Sequence, residues 1–202
     1  MEMDTVYRPR TFNLQVEQFR SYPNSPNDII LLGNSLTAYT NWNELLGIPN
    51  ARNRGISGDT TFGILERIDE ITEGKPAKIF ILIGINDISR NVPSELILRN
   101  YRKIISYITR NSPATELFIQ TLLPVNNTFD RYKNHYNKDE EIAEVNKGLK
   151  KLAKKEGITL IDLHPHFLDE YDRLDPLYTE EGLHLNAIGY QMWSKLLKPY
   201  LE

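Results

Sequence analysis

The chain has 202 residues, a formal net charge of −3, 40% apolar and 25% charged residues. That is the mix of a globular domain with enough chain for a real core, and its mild acidity argues against a nucleic-acid partner, because phosphate binding needs a positive field. The absence of cysteine excludes disulfides, zinc–thiolate sites and a thiol nucleophile, and no apolar run approaches the roughly 18–20 residues of a membrane span.

The first residues, MEMDTVYRPR, carry no apolar core behind their charges and do not read as a secretory signal. The expected compartment is the cytoplasm, or the periplasm or exterior if a signal peptide has been removed. Residues 1–27 are expected to form an extension packed on a single domain spanning 1–202. The first strong element is the run at 28–33, DIILLG, followed by Asn34 and Ser35. Gly, Asn and Ser are turn residues, so the plain expectation is a strand and a turn. The alternative is a nucleophile delivered to the rim of a sheet.

Four further runs read as strands: a weak one at 51–54, then 78–84, 116–122 and 158–162. Three of the five are continuous rather than alternating, as in a parallel sheet buried on both faces. Between them lie helical patterns. Phe62, Leu65, Ile68 and Ile71 recur every three residues and predict one helix. Ile97, Tyr101, Ile104, Ile105 and Ile108 form a stripe after Pro93, which suits a first helical turn. Ile142, Val145, Leu149 and Leu152 form another, with the lysines of 147–155 on its solvated face. The last helix starts near Asn186, a good N-cap, and buries Trp193, Leu196 and Leu197. Strands alternating with helices predict a three-layer α/β/α, flavodoxin-like fold. Its central five-stranded parallel sheet has the order 2-1-3-4-5. The segments 125–138 and 164–183 are long loops, which are often functional.

In that order the first three strands are neighbours, and their C-terminal ends border the switch point where such folds bind ligands. Ser35, Gly55 and Asn86 then surround one crevice. A serine can attack an acyl carbon, a glycine can present its backbone N–H, and an asparagine NH₂ can donate to an oxyanion. Of the four histidines, His184 precedes the final helix and has Glu181 three residues before it, in reach of the imidazole. The order Ser…acid…His is one in which triads occur. His164 and His166 invite a metal reading, but no HExxH pattern supports it, and they are read as loop anchors; no metal and no cofactor is expected.

These blocks resemble the SGNH (GDSL-type) hydrolases: GNS at Ser35, NRGISG at Gly55, GIND at Asn86 and EGLH at His184, in order and across nearly the whole chain from 28 onward. NRGISGDTT and HLNAIGY further resemble the acetylhydrolase branch, which includes platelet-activating-factor acetylhydrolase-like proteins and bacterial carbohydrate O-acetylesterases. The resemblance implies a serine esterase without cofactor or metal. Its nucleophile is Ser35 and its base His184. Its oxyanion donors are the N–H groups of Ser35 and Gly55 and the Asn86 side chain. The chain departs from the family pattern twice, with Asn34 where the family commonly has Asp and Glu181 where the last block commonly has Asp. Either Glu181 or a backbone carbonyl before His184 orients the imidazole.

The expected substrate is a small short-chain ester, an O-acetyl ester of a carbohydrate foremost. A lysophospholipase or thioesterase activity, or an inactive binding module on the same scaffold, are the alternatives. Asn34, Arg54, Tyr39 and His135 are candidate substrate contacts. Arg54 could instead pair with a carboxylate, and the aromatic side chains, among them Trp42, Tyr132 and Tyr136, could simply pack. Asp87 is expected to be structural. A G-x-x-x-x-G-K-[ST] or G-x-G-x-x-G phosphate loop and the G-x-S-x-G elbow of α/β-hydrolases are absent. Oligomeric state is not legible.

Overall fold

The computed structural model describes residues 3–201. Five parallel strands, β1 (Ile29–Gly33), β2 (Ala51–Gly55), β3 (Lys78–Leu82), β4 (Glu116–Gln120) and β5 (Thr159–Ile161), lie in the order β2-β1-β3-β4-β5. This is the expected order. Every residue of β1 and β3 is buried, as continuous Ile/Leu/Phe runs covered on both faces require. The edge strand β2 carries Arg52, Asn53 and Arg54, and it pairs with β1 so that Gly33 faces Gly55. That edge position explains its weak apolar signal.

The helices are α1 (Phe12–Ser21), α2 (Ser35–Ala38), α3 (Trp42–Leu46), α4 (Thr61–Glu66), α5 (Ile68–Thr72), α6 (Ile85–Ser89), α7 (Ser94–Asn111), α8 (Asp139–Glu156) and α9 (Ala187–Leu197). On one side of the sheet α7 touches α4, α5 and α8; on the other α3 touches α9. The stripes expected for α7, α8 and α9 are largely the buried ones, with Leu196 only partly covered. Pro93 stands one residue before α7 rather than inside its first turn. Asn186 caps α9 by accepting from the Gly189 N–H at 3.0 Å. In the core, Phe80 and Phe118 stack at 4.4 Å and the rings of Trp42 and Trp193 meet edge-on at 4.9 Å.

Within 1–27, α1 buries Phe12 and Val16 against Ile56, and Arg20 pairs with Asp69 at 2.9 Å. Residues 62–71 do not form the single helix their spacing predicts. The chain breaks between α4 and α5 at Arg67, whose side chain is fully buried.

Arg67 explains the break. Its Nε donates to Asp59 Oδ2 (3.1 Å), Nη1 to Glu70 Oε1 (3.2 Å), and Nη2 to the carbonyls of Arg54 (2.8 Å) and Gly33 (3.4 Å). One guanidinium thus joins the ends of β1 and β2 to the loop after β2. Glu70 also receives Arg54 Nε at 3.2 Å. Burial pushes the carboxyls of Asp59 and Glu70 up, against the pull of Arg67. Removing one partner from such a cluster leaves uncompensated buried charge. Arg67→Ala is therefore expected to lose about 3–5 kcal/mol in denaturant unfolding. Arg67→Lys should fall between Ala and the parent, since an ammonium has fewer donors in less suitable directions. Parent-like unfolding of the alanine variant would refute this.

Candidate active site

The apolar run of β1 ends at Gly33, and the single turn α2 begins one residue later. Asn34 caps that turn: its Oδ1 accepts the Leu36 N–H at 3.0 Å. The cap needs only a side-chain oxygen acceptor, so Asn fills the place of Asp without its charge. Asn53 of β2 steadies the other end, donating from Nδ2 to the carbonyls of Thr37, Ala38 and Thr40. Tyr190 of α9 donates to the Leu36 carbonyl at 2.7 Å. Ser35 therefore starts a turn fastened from the sheet and from the last helix.

His184 Nε2 lies 2.9 Å from Ser35 Oγ. Its Nδ1 is 3.0 and 3.1 Å from the two Glu181 carboxylate oxygens. Glu181 accommodates its extra methylene by folding back over its own loop, where Oε1 also accepts the backbone N–H groups of Leu183 and His184. Thr179, which the sequence did not single out, closes this loop. Its hydroxyl donates to the His184 carbonyl (2.6 Å) and accepts from Gly182 N (2.9 Å). Tyr136 donates to the Glu181 carbonyl at 2.8 Å. Gly182 has φ +84, and a Cβ there would lie 2.4 Å from the Asn126 carbonyl, so only glycine lets the chain pass.

Asn86 stands in the first turn of α6, directly after β3. Its Nδ2 donates to the Asp59 carbonyl at 2.9 Å, and its Oδ1 is 3.0 Å from His135 Nε2. An amide oxygen only accepts, so the network assigns the proton to His135 Nε2. Burial, then the neighbouring His184 and Arg90, holds His135 down at about 4; it is neutral at pH 7 and fixes the amide of Asn86. One Nδ2 hydrogen of Asn86 remains free. The imidazole of His184 lies between Tyr39 (5.0 Å between centroids) and Tyr132 (5.1 Å, edge-on). Tyr39 also touches Ser57 Oγ at 3.0 Å.

Two of the residues expected at the site do other work. The N–H of Gly55 is already donated to Asn53 Oδ1 at 2.8 Å, so it is not an open oxyanion donor. Its lack of a side chain serves close packing, since a Cβ would lie 2.4 Å from Ala38 N. The backbone amides of Ser35, Ser57 and Gly58 have no hydrogen-bond partner among the described residues. The sequence held a cue to Gly58, the second glycine of NRGISG, but not the direction of its N–H. Arg54 is buried against Glu70, with its guanidinium 4.9 Å from the Phe19 ring. Of the two uses considered for it, the structure supplies the carboxylate partner. His164 is anchored through Nδ1 to the Leu122 carbonyl at 2.8 Å.

A serine hydroxyl on an imidazole, the imidazole on a carboxylate, and donors beside them at the sheet's switch point are equipped for nucleophilic acyl transfer. The chain belongs to the GDSL-like lipase/acylhydrolase family, whose model matches residues 31–192, and is a carboxylic ester hydrolase. It is 28% identical over 184 residues to the platelet-activating factor acetylhydrolase IB subunit alpha2 of Rattus norvegicus, covering 87% of this chain and 75% of the relative. A structure from Streptococcus pneumonia, provisionally named a platelet activating factor, superposes with a TM-score of 0.87 at 32% identity over 96% of this chain and 94% of that one. An acetyl xylan esterase, AlAXEase, shares the fold with a TM-score of 0.73 at 19% identity, covering 87% of this chain and 100% of that one. Among the described residues no helix is long and apolar enough to cross a membrane.

Beside Asn86, Asp87 accepts the Thr61 N–H (3.0 Å) and hydroxyl (2.5 Å). Burial pushes its carboxyl up to about 7, with the Thr61 hydrogen bonds opposing and the Asp59 charge assisting. A carboxyl raised on folding binds its proton more tightly folded than unfolded. Its contribution to stability therefore falls as pH rises from about 4 to about 7. Asp87→Asn keeps an acceptor for Thr61 and cannot ionise. Its stability relative to the parent should rise across that window in denaturant unfolding followed against pH; a constant difference would contradict the assignment.

Proposed function

We propose that this protein is a serine esterase that removes short acyl groups, acetyl foremost, from the hydroxyls of a carbohydrate. The observation that carries the chemistry is the continuous line Ser35 Oγ–His184 Nε2 and His184 Nδ1–Glu181. Ser35 Oγ attacks the ester carbonyl while His184 Nε2 takes its proton, and Glu181 holds the ring and stabilises the imidazolium. The oxyanion receives the N–H of Ser35, the free Nδ2 hydrogen of Asn86, and the open amide of Gly58, next to the Asp59 that holds Asn86. Donors of this kind are typically worth about 2.7–4 kcal/mol each. Collapse breaks the ester C–O bond, and the alcohol leaves with the proton from His184. Water, deprotonated by the same imidazole, then attacks the acyl-enzyme, releasing the acid and restoring Ser35.

Intact mass after a fluorophosphonate probe, with p-nitrophenyl acetate turnover beside it, tests this. One adduct and turnover are expected in the parent, and neither in Ser35→Ala. Glu181→Gln should lower kcat by about 10²–10⁴. Adduct formation or turnover surviving in Ser35→Ala would reject the nucleophile.

Acyl size has its own support. An apolar cavity of about 10 Å³ lies between residues flanking the reacting groups, among them Asn34, Leu36, Ile85 and Leu183. Taken as the acyl site, it has room for about one water-sized group, the scale of the methyl of acetate rather than of a lipid chain. The acetyl preference agrees with the name of the Rattus norvegicus relative, and the carbohydrate with that of AlAXEase. The cap made by Asn34 and the contact of Glu181 with His184 support the active reading over the inactive module, despite the two departures from the family pattern. Trimming the cavity wall in Leu183→Ala should raise kcat/KM for p-nitrophenyl butyrate relative to acetate by roughly tenfold, the scale of one or two methylenes in a pocket. An unchanged ratio would separate this cavity from the acyl group.

A further inference from the structure

The two long loops meet in an open groove of about 400 Å³, lined by none of Ser35, Glu181 and His184. One wall is a hairpin closed by the Leu168–Leu174 bridge. Inside it Asp169 Oδ1 accepts the N–H groups of Tyr171 (2.8 Å) and Arg173 (2.9 Å). This rigid tip holds up Tyr171, which is 66% exposed. The Arg173 guanidinium supports the ring from 4.8 Å. The opposite wall carries Asn127, Asn137 and Asp139. Asn127 Nδ2 donates to Asn137 Oδ1 at 2.7 Å, leaving Asn127 Oδ1 and Asn137 Nδ2 directed to no other group among the described residues.

Backbone geometry marks the same place. Asn137 (φ 56) and Asp172 (φ 59), both in this groove, are two of the four non-glycine residues with positive φ among the described residues. Asn and Asp adopt this conformation more readily than other non-glycine residues, so each makes a sharp turn in the rim of the groove at small cost. The groove is also fastened to the histidine loop. Leu174 N donates to the Val125 carbonyl, Asn126 Nδ2 to the Leu174 carbonyl, and Asn126 N to the Gly182 carbonyl at 2.9 Å.

The lining selects a ligand class. An exposed aromatic face takes the C–H face of a sugar ring, while amides and carboxylates suit hydroxyls that both donate and accept. Asp139 and Asp172 against Arg173 leave no surplus positive charge for an anion. No group of three His, Cys, Asp or Glu among the described residues could hold a metal ion. We infer that this groove binds a neutral carbohydrate chain, as a subsite for sugar residues remote from the ester that reacts at Ser35. The inference rests on the carbohydrate reading proposed above.

Binding of unacetylated xylohexaose and chitohexaose, followed by calorimetry and ligand-observed NMR, tests the groove without catalysis. The parent and Ser35→Ala should bind at least one of them alike. Tyr171→Ala should weaken it at least about fivefold, the scale of one aromatic contact, and Tyr171→Phe should restore it. Asn127→Ala, on the other wall, should weaken it as well. No binding of either sugar at about 10 mM, or binding indifferent to Tyr171→Ala and Asn127→Ala, would overturn the inference. Acetate release from acetylated xylo-oligosaccharides by the parent reads the underlying function separately. Groove binding without such release would keep a sugar-binding groove but overturn its role as a subsite of the reaction at Ser35, together with the carbohydrate-ester reading.

Discussion

The arrangement depends on Arg67. Its guanidinium is shut away from water and meets two carboxylates and two strand-end carbonyls. Buried ion pairs are poor sources of net stability, because desolvation consumes most of the attraction. Their geometry is another matter, since each donor accepts only a narrow range of partner positions. Gly33 precedes the turn that bears Ser35, Arg54 precedes Gly55, and Asp59 holds Asn86 through its carbonyl. A single planar cation therefore sets the relative placement of the segments bearing Ser35, Gly58 and Asn86, before any ligand arrives. The same cluster reaches outward through Glu70 to Arg54, and through Arg54 to Phe19 of the N-terminal helix.

Around this clamp the proposed reacting groups are held by second contacts rather than by their own side-chain preferences. Ser35 is positioned by its turn, and the turn by Asn34, Asn53 and Tyr190. Asn86 is gripped at both ends of its amide, by a carbonyl that can only accept and a neutral imidazole that donates. Burial of His135 matters here, because it keeps that ring neutral across the range in which an ordinary histidine titrates. His184 is set by a carboxylate whose second task is to cap its own loop, so the longer side chain of Glu costs no reach. Preorganisation of this kind lets donors act on a developing oxyanion without first rearranging.

Much of this was legible in the residues. Continuous apolar runs betray strands buried on both faces, so β1 and β3 followed from pattern alone, and the polar residues at their ends pointed to the crevice where the structure brings Ser35 and Asn86 near His184 and His135. What stayed hidden was decided by direction. Gly55 and Gly58 look alike in NRGISG, and only the fold tells which N–H is already engaged. Arg54 could face either way on an edge strand, and the location of Glu70 chose for it. The break at Arg67 contradicts a clean three-residue spacing, because a buried cation with four acceptors overrides propensity. The helices α1 and α3 were missed because α1 is short and mostly exposed and α3 is a single turn, so neither carries a strong period. Thr179 left no trace, since a hydroxyl that closes a loop resembles any other threonine.

If the narrow apolar cavity takes the acyl group, as proposed, selectivity for the alcohol must come from elsewhere. One methylene in an apolar pocket is worth only about 1–3 kcal/mol, so a cavity of about 10 Å³ can reject long chains but says little about the alcohol. Tyr39 and Tyr132 flank His184 beside Ser35, and aromatic faces alone do little to tell one alcohol from another. Binding energy from parts of the substrate far from the reacting bond can be used to align that bond, which raises kcat as well as affinity. On the proposed carbohydrate reading, the Tyr171 tip and the Asn127 wall, on loops fastened through Asn126 to Gly182, stand where such energy would align His184. In the reading proposed here the wide, polar groove would take the sugar and the narrow, apolar cavity the acyl group.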